Sequence, residues 1–380
     1  MPETITWDQL RELAAFRATR GCAISLYLDL DPSTTPTAGD VHARVDALLA
    51  AAERRLDDSR GTLGHEARAA ARADIGRIER WFRDDFDRDG VRGAAVFADG
   101  VDNFWSTLET CEPVVDEVRL DDELYVAPLV SVVGRGGGAL VAAVGRERGQ
   151  VFQLRRGRLV EIADRGGDVP RRHDQGGWSQ ANYERHIDDI VERQWRDVAA
   201  TLDACVRKLR GMHVVLVGTD DVRAGFEQML AQETRACVAG WTTVEAHADP
   251  HRILAVARPV LDARCAARET EILGRWQQEA AKQGRATAGW EATLEAASDG
   301  RVDLLLAQAG ADRMAYKCPA CGRAQITNGG CPIDGTAMEH RDRGFDVAVH
   351  KTLVNGGTVH VFRNRRDLEP VGGLAALLRY

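Results

Sequence analysis

Lysine is nearly missing from this chain: 4 lysines stand beside 46 arginines in 380 residues. The bias runs the whole length and reads as genome composition more than as a binding device. An overall positive charge is missing too, and a formal net charge of −8 speaks against a protein that coats nucleic acid throughout. No apolar run approaches the ~18 residues that a membrane-spanning helix needs, so no membrane partner is expected. Met1–Arg17 starts acidic and has no apolar leader core, which makes the cytoplasm the expected location. Internal repeats and low-complexity segments are absent, and no compact carboxylate–histidine set supports nuclease chemistry. Cys22, Cys111, Cys205, Cys237 and Cys265 are scattered through apolar or mixed contexts and read as reduced, mostly buried small hydrophobes.

The charge that is present is uneven. Residues 1–125 hold 15 basic against 26 acidic residues, residues 126–255 hold 18 against 17, and residues 256–380 hold 17 against 15. An acidic first third suits a protein or metal partner better than bare RNA, although most such faces are simply solvated. The pattern of elements is α/β throughout, as three α/β domains with boundaries at 1–124, 125–249 and 250–380. In the first, Ala23–Asp29 reads as a strand, Val41–Asp57 and His65–Phe86 as helices, and Gly93–Ala98 and Asn103–Leu108 as strands. Leu28-Asp29-Leu30-Asp31 has the look of a carboxylate metal pair, but a strand running into a turn explains it better.

In the middle third, Leu129–Val133 and Ala139–Val144 read as strands around Gly134–Gly138, a hairpin turn in place of a dinucleotide loop, because that loop must lead from a strand into a helix. Gln150–Leu154 and Arg158–Ile162 form a second hairpin across Arg155-Arg156-Gly157. Then comes Arg171-Arg172-His173-Asp174-Gln175-Gly176-Gly177-Trp178-Ser179-Gln180. Behind it, apolar residues at Tyr183, Ile187, Ile190, Val191, Trp195, Val198, Leu202, Val206 and Leu209 keep a 3.6-residue spacing, and Ser179 or Asn182 suits the N-cap. A glycine pair thus sits on a projecting loop anchored by a long helix. Glycine has no Cβ, so the backbone there can take φ > 0 and approach another molecule closely. Residues 155–172 hold six arginines against Glu161, Asp164 and Asp168, a composition that suits phosphate backbones or, equally simply, a solvated loop. Further along, His213–Val217 reads as a strand, Asp221–Ala231 as a helix and Thr242–Ala246 as a strand.

The Gly-Gly loop and the helix behind it resemble the middle domain of the archaeo-eukaryotic peptide chain release factor and Pelota superfamily, in its bacterial branch. The resemblance implies a basic loop that reaches the ribosomal peptidyl-transferase centre beside the tRNA CCA end. In release factors of that type a Gly-Gly-Gln glutamine positions the water that attacks the peptidyl-tRNA ester, and its backbone amide stabilises the oxyanion. This chain departs at that position: Trp178 follows the glycines, and glutamine stands at Gln180. Carried over residue by residue, the resemblance implies Gly176, Gly177 and Gln180 as the catalytic set, with Arg171, Arg172, His173 and Trp178 on RNA. It also raises a translational GTPase as a partner. The stop-codon-reading Asn-Ile-Lys-Ser loop of true termination factors is absent from the sequence, so codon reading is not supported. Over the last third, a helical stretch from Ile253 to Gln283 continuing through Trp290–Ala297, a strand Val302–Gln308, a helix Gly344–Asn355 and a strand Thr358–Phe362 are similar in order to the superfamily's C-terminal α/β sandwich.

The other three cysteines form a separate device. Cys318-Pro319-Ala320-Cys321-Gly322 is a knuckle, and Cys331-Pro332-Ile333-Asp334-Gly335 repeats it with aspartate in place of the fourth cysteine. Two such turns supply the four ligands of tetrahedral zinc: Cys318, Cys321, Cys331 and Asp334, or less directly His340, inside an insertion at 316–340. A degenerate site that has lost its metal and a redox pair are the alternatives. Three functions therefore compete: a peptidyl-tRNA hydrolase on stalled ribosomes, a non-catalytic hibernation or surveillance factor in the ribosomal A site, and a non-ribosomal interaction module or nuclease-like hydrolase.

Overall fold

The computed structural model describes residues 5–380 except 59–62, 90, 111, 134–137, 156, 167–177, 210–211, 246–247 and 364, and only the backbone of 166 and 178–187. It divides into two compact units, residues 1–135 with 269–380, and residues 136–268. Among the described residues, no helix is long and apolar enough to cross a membrane.

The first unit opens with helix α1 (Trp7–Ala15), started by a capping box in which the Thr6 hydroxyl accepts from the Gln9 N–H while the Gln9 side chain accepts from the Thr6 N–H. Strand β1 (Ala23–Asp29) lies in an antiparallel sheet with β2 (Gly93–Asp99), β3 (Phe104–Thr110) and β4 (Glu117–Asp121), in the order β3-β2-β1-β4. Helices α2 (Ala38–Asp58) and α3 (His65–Arg80), the latter extended by a π-turn at Trp81–Asp85, bury one apolar stripe each against one face of that sheet. Period-2 alternation sends Tyr27, Ala95 and Phe97 to the other face. There they join a core with α1, α4 (Ala127–Val133) and residues of the last third such as Trp290, Leu294, Val347 and Leu374. The first and last thirds of the chain are thus halves of one packed body. The Asp29-Leu30-Asp31 segment is the turn that the sequence suggested: Asp31 accepts from the Ser33 N–H at 2.9 Å, and Asp29 accepts from the Asp31 N–H at 3.0 Å.

The second unit carries a five-stranded sheet of β5 (Ala139–Val144), β6 (Arg148–Arg155), β7 (Arg158–Gly166), β8 (His213–Val217) and β9 (Val238–Thr242), ordered β7-β6-β5-β8-β9. Strands β5, β8 and β9 run parallel, while β6 and β7 form the expected hairpin. Helix α5 (Trp178–Lys208) crosses from the hairpin to β8 and, with α6 (Asp220–Met229) and α7 (Gln232–Cys237), covers one face; Val198, Leu202 and Val206 bury there. The start of α8 (Pro250–Ala281) covers the other through Ile253 and Ala257.

The rest of α8 belongs to the first unit, where Leu273 and Trp276 pack on a sheet of β10 (Ala286–Ala288), β11 (Val302–Gln308), β15 (Thr358–Phe362) and β16 (Leu374–Leu378). Its order is β10-β16-β11-β15, with α9 (Trp290–Ser298) and α10 (Gly344–Val354) on the opposite face. Between β11 and α10 a small sheet of β12 (Ala315–Lys317), β13 (Ala324–Gln325) and β14 (Glu339–Arg341) carries the two knuckles.

Four sequence expectations need correcting. Ala127–Val133 is a helix: Pro128 sits in its first turn, and Leu129, Val130 and Val133 bury into the shared core, so packing overrides the β-branched run. The strand expected at Thr242–Ala246 is Val238–Thr242, which directly follows α7. The helical stretch expected to continue from α8 through Trp290–Ala297 is broken by β10, because Gln283 (φ 51°) and Gly289 (φ 84°) turn the chain on either side of it. Helix α5 begins at Trp178, so Ser179 and Asn182 lie inside it and neither is its N-cap.

Candidate functional sites: the loop ahead of the long helix and the cysteine cluster

Of the residues that the sequence points to on the Gly-Gly loop, Arg171, Arg172, His173, Gly176 and Gly177 lie outside the described residues. Trp178 and Gln180 fall in the first turn of α5, where the backbone alone is described. Contacts of the helix are defined from Asp188 onward. The Trp195 indole N–H donates to the Gly145 carbonyl at 2.9 Å, and its ring rests against Gly225 of α6, which leaves no room there for a Cβ. Arg146 pairs with Asp188 at 2.9 Å. On the hairpin that leads into the loop, Arg148 of β6 engages Asp164 of β7 and holds its carboxyl below the usual range. Glu161 accepts from Gln150 at 2.8 Å. Two of the three acids in the basic stretch therefore already have partners within the hairpin. An open groove of about 620 Å³ between β7 and α5 is lined by Arg165, Asp197, Thr201 and Lys208; it is large but brings no set of reactive groups together.

The four cysteine-cluster residues do converge. In the first knuckle, Gly322 N–H donates to the Cys318 carbonyl at 2.9 Å and Cys318 N–H to the Arg323 carbonyl at 2.8 Å. The second knuckle repeats this: Gly335 N–H donates to the Cys331 carbonyl and Cys331 N–H to the Thr336 carbonyl, both at 2.8 Å. Each turn closes on a left-handed glycine, Gly322 (φ 72°) and Gly335 (φ 73°), where a side chain would be strained. Two equivalent turns thus face each other, and their ligand atoms all lie within 4.8 Å of one another. Cys321 and Cys331 sulfurs are 3.5 Å apart, and Cys318 Sγ is 3.6 Å from Asp334 Oδ2. A tetrahedron with metal–sulfur bonds of about 2.3 Å has edges of about 3.8 Å, so the donor set fits a tetrahedral ion. The sulfur separation far exceeds a disulfide bond of about 2.05 Å.

Backbone dipoles prepare the cluster for cation binding. Cys321 N–H, donating to Cys318 Sγ at 3.4 Å, holds the Cys318 thiol below its ordinary value, and Thr336 N–H does the same for Asp334 at 2.9 Å. Arg323 N–H works in the same direction on Cys321, but desolvation and the neighbouring sulfurs outweigh it and push this thiol up to about 11. His340, the less direct fourth ligand, instead points Nδ1 at Asp342, 3.4 Å away, and stands edge-on to Tyr316.

One feature escaped sequence reasoning. A cavity of about 550 Å³ borders the first knuckle, with walls from Arg17, Asp121 to Glu123, Lys317, Arg341 and Lys351. Lys317, only 8% exposed, donates to Glu123 at 2.6 Å, and His350 Nε2 lies 3.5 Å from the same carboxylate. Burial keeps His350 neutral to lower pH than usual although Glu123 opposes this. The signal was there to find, since two of the chain's 4 lysines meet at this cavity.

The fold is that of an α/β protein in two units, one with the long helix α5 and one with the cysteine cluster. Residues 125–265 match the model of bacterial archaeo-eukaryotic release factor family 10. Peptide chain release factor subunit 1 of Archaeoglobus fulgidus is 24% identical over 299 residues, which cover 72% of this chain and 73% of that one. The same factor from Thermoplasma acidophilum is 22% identical over 314 residues, covering 75% and 74%. Among solved structures, Archaeoglobus fulgidus Pelota is 14% identical, with 100% of this chain and 93% of that chain covered at a TM-score of 0.33. Saccharomyces cerevisiae Dom34 is 12% identical, with 78% and 81% covered at a TM-score of 0.42. Likenesses this loose carry no functional argument. By sequence the chain is similar to the release factors of the release factor and Pelota superfamily, and its residues 125–265 match the bacterial family model.

Proposed function

We propose that this protein acts on stalled ribosomes, presenting residues 171–180 to the CCA end of a tRNA in the peptidyl-transferase centre. The observation that carries the reading is the family match over residues 125–265, the segment in which the basic Gly-Gly sequence immediately precedes helix α5. In the hydrolytic form of the proposal, Gly176 and Gly177 permit close backbone approach and Gln180 orients water towards the peptidyl ester. Arg171, Arg172 and His173 hold RNA phosphates, and Trp178 stacks on a base, worth roughly 1–3 kcal/mol. The pairing of Asp164 by Arg148 supports the RNA assignment, because it leaves the loop arginines less internal acid to neutralise them.

The second reading is non-catalytic occupation of the A site, favoured by one observation: Trp178 stands where the superfamily's glutamine is expected. The Cys318, Cys321, Cys331 and Asp334 set is proposed to hold structural zinc, which when bound would cross-link the two knuckles. A translational GTPase as delivering partner, and the division at 1–124, 125–249 and 250–380, are proposed on the family likeness alone. Sedimentation with 70S ribosomes across a salt series tests the placement. Binding should weaken with salt, and Arg171→Ala and Arg172→Ala should each lower the slope by about 1. A chain that does not sediment with ribosomes even at low salt would leave the non-ribosomal interaction module standing.

A further inference from the structure

We infer that Lys351 is an outer-sphere residue of the metal centre, its ammonium held over the first knuckle to neutralise the charge of the Cys321 thiolate. The inference rests on the metal reading above and deepens it. A divalent ion bound by three thiolates and one carboxylate leaves a net charge of −2 on the centre. Such a centre is stabilised by donors outside the ligand shell, which set both thiolate charge and ligand orientation. Backbone N–H groups supply some of this, from Cys321 to Cys318 Sγ and from Thr336 to Asp334. None of them is a full charge.

Lys351 supplies one. It stands on α10, outside the insertion, yet it lines the same cavity as Cys318, Cys321 and Gly322. Its Nζ occupies the space above Gly322, so that a Cβ added there would collide with it. Among the described residues, no carboxylate lies within ion-pair distance of this half-buried ammonium. The neighbouring acids are engaged elsewhere: Glu123 by Lys317 at 2.6 Å, Asp122 by Arg17 at 2.7 Å, and Asp121 and Glu339 by Arg341 at 3.2 Å. Exposed Cys321, a thiolate once a metal is bound, faces the same cavity as this ammonium.

Residue choice points the same way. A chain that uses arginine 46 times and lysine 4 times has lysine here, its compact ammonium set over a glycine. Gly322 thereby serves two purposes, closing the turn at positive φ and leaving room for the ammonium.

The test is cobalt(II) uptake by the full chain, followed through thiolate-to-cobalt charge-transfer absorption and competition with a chelator of known affinity. Lys351→Gln should lower affinity about 10- to 100-fold and shift the charge-transfer band. Lys282→Gln, remote from the cavity, should change neither. Apoprotein melting curves establish that the variant is folded, and Lys351→Met carries the same prediction if the glutamine variant does not fold. Unchanged affinity and spectrum in a folded Lys351 variant would overturn the inference alone. A wild-type chain that takes up no cobalt would overturn the metal reading and this inference with it.

Discussion

Glu123→Gln is the most informative single change outside the loop. The carboxylate lies between the Lys317 ammonium at 2.6 Å and the His350 imidazole at 3.5 Å, with side chains 10%, 19% and 14% exposed for Lys317, Glu123 and His350. Removing its charge strands Lys317, because the other acids of the cavity pair with Arg17 and Arg341. Breaking a fully buried pair costs about 3–5 kcal/mol; since this cavity admits water, the lower end, about 3 kcal/mol, is expected. The exposed Arg17–Asp122 pair (59% and 38%) supplies the contrast, and Asp122→Asn should cost below about 1 kcal/mol. Urea unfolding followed by tryptophan fluorescence at pH 7 reads both. The double variant Glu123→Gln with Lys317→Met leaves no stranded charge and should recover more than half of the loss. Against a burial effect that raises it, His350 and Lys317 hold the Glu123 carboxyl below its usual range in the folded state. Its stabilising contribution is therefore complete above the unfolded carboxylate value and lost as pH falls through the depressed folded one, so wild type and Glu123→Gln should converge as the carboxylate protonates in acid. Equal costs for Glu123→Gln and Asp122→Asn would refute the reasoning.

Burial pushes Asp346 up to about 6 against the guanidiniums of Arg119 and Arg343. A carboxyl raised on folding favours the folded state below its unfolded value and loses that advantage as pH rises through the folded one, so stability should fall between about pH 4 and 6 by up to about 3 kcal/mol. Asp346→Asn should flatten that slope, and an unchanged slope in urea titrations would dismiss the assignment. The cluster of Cys318, Cys331 and Met338 with Tyr316 is a very small core for the sheet that carries the knuckles. Stripping metal with excess chelator should expose residues 316–340 to protease, and equal protection with and without chelator would speak against metal-dependent folding there. Trp195→Phe loses the hydrogen bond to Gly145 and should cost about 1 kcal/mol in thermal unfolding, whereas Trp195→Ala should cost about 3 kcal/mol or more.

The sequence made some parts of the molecule legible and hid others for physical reasons. Ala23–Asp29, Val302–Gln308 and Thr358–Phe362 are found at the strand limits read from their β-rich runs. The long apolar period marked α5, and the repeated Cys-Pro-x-x-Gly pattern marked the knuckles, because local spacing alone dictates both. Leu129–Val133 misled because its valines look like a strand, while burial on two helices and a sheet decided for the helix Ala127–Val133. The shared core of the first and last thirds could not be read from either segment, since residues such as Tyr27 and Trp290 meet only after both have folded. Lys351 was equally silent, because its relation to Gly322 spans the whole of the second knuckle and the start of α10.

The central claim is tested most directly on 70S ribosomes that carry a peptidyl-tRNA, by scoring released peptide in the same samples that are sedimented for binding. The account predicts that the protein binds, and its hydrolytic form predicts peptide release that Gln180→Ala abolishes while binding persists. Binding without release would leave only the A-site occupation reading, and a protein that neither binds nor releases would contradict the ribosomal account altogether.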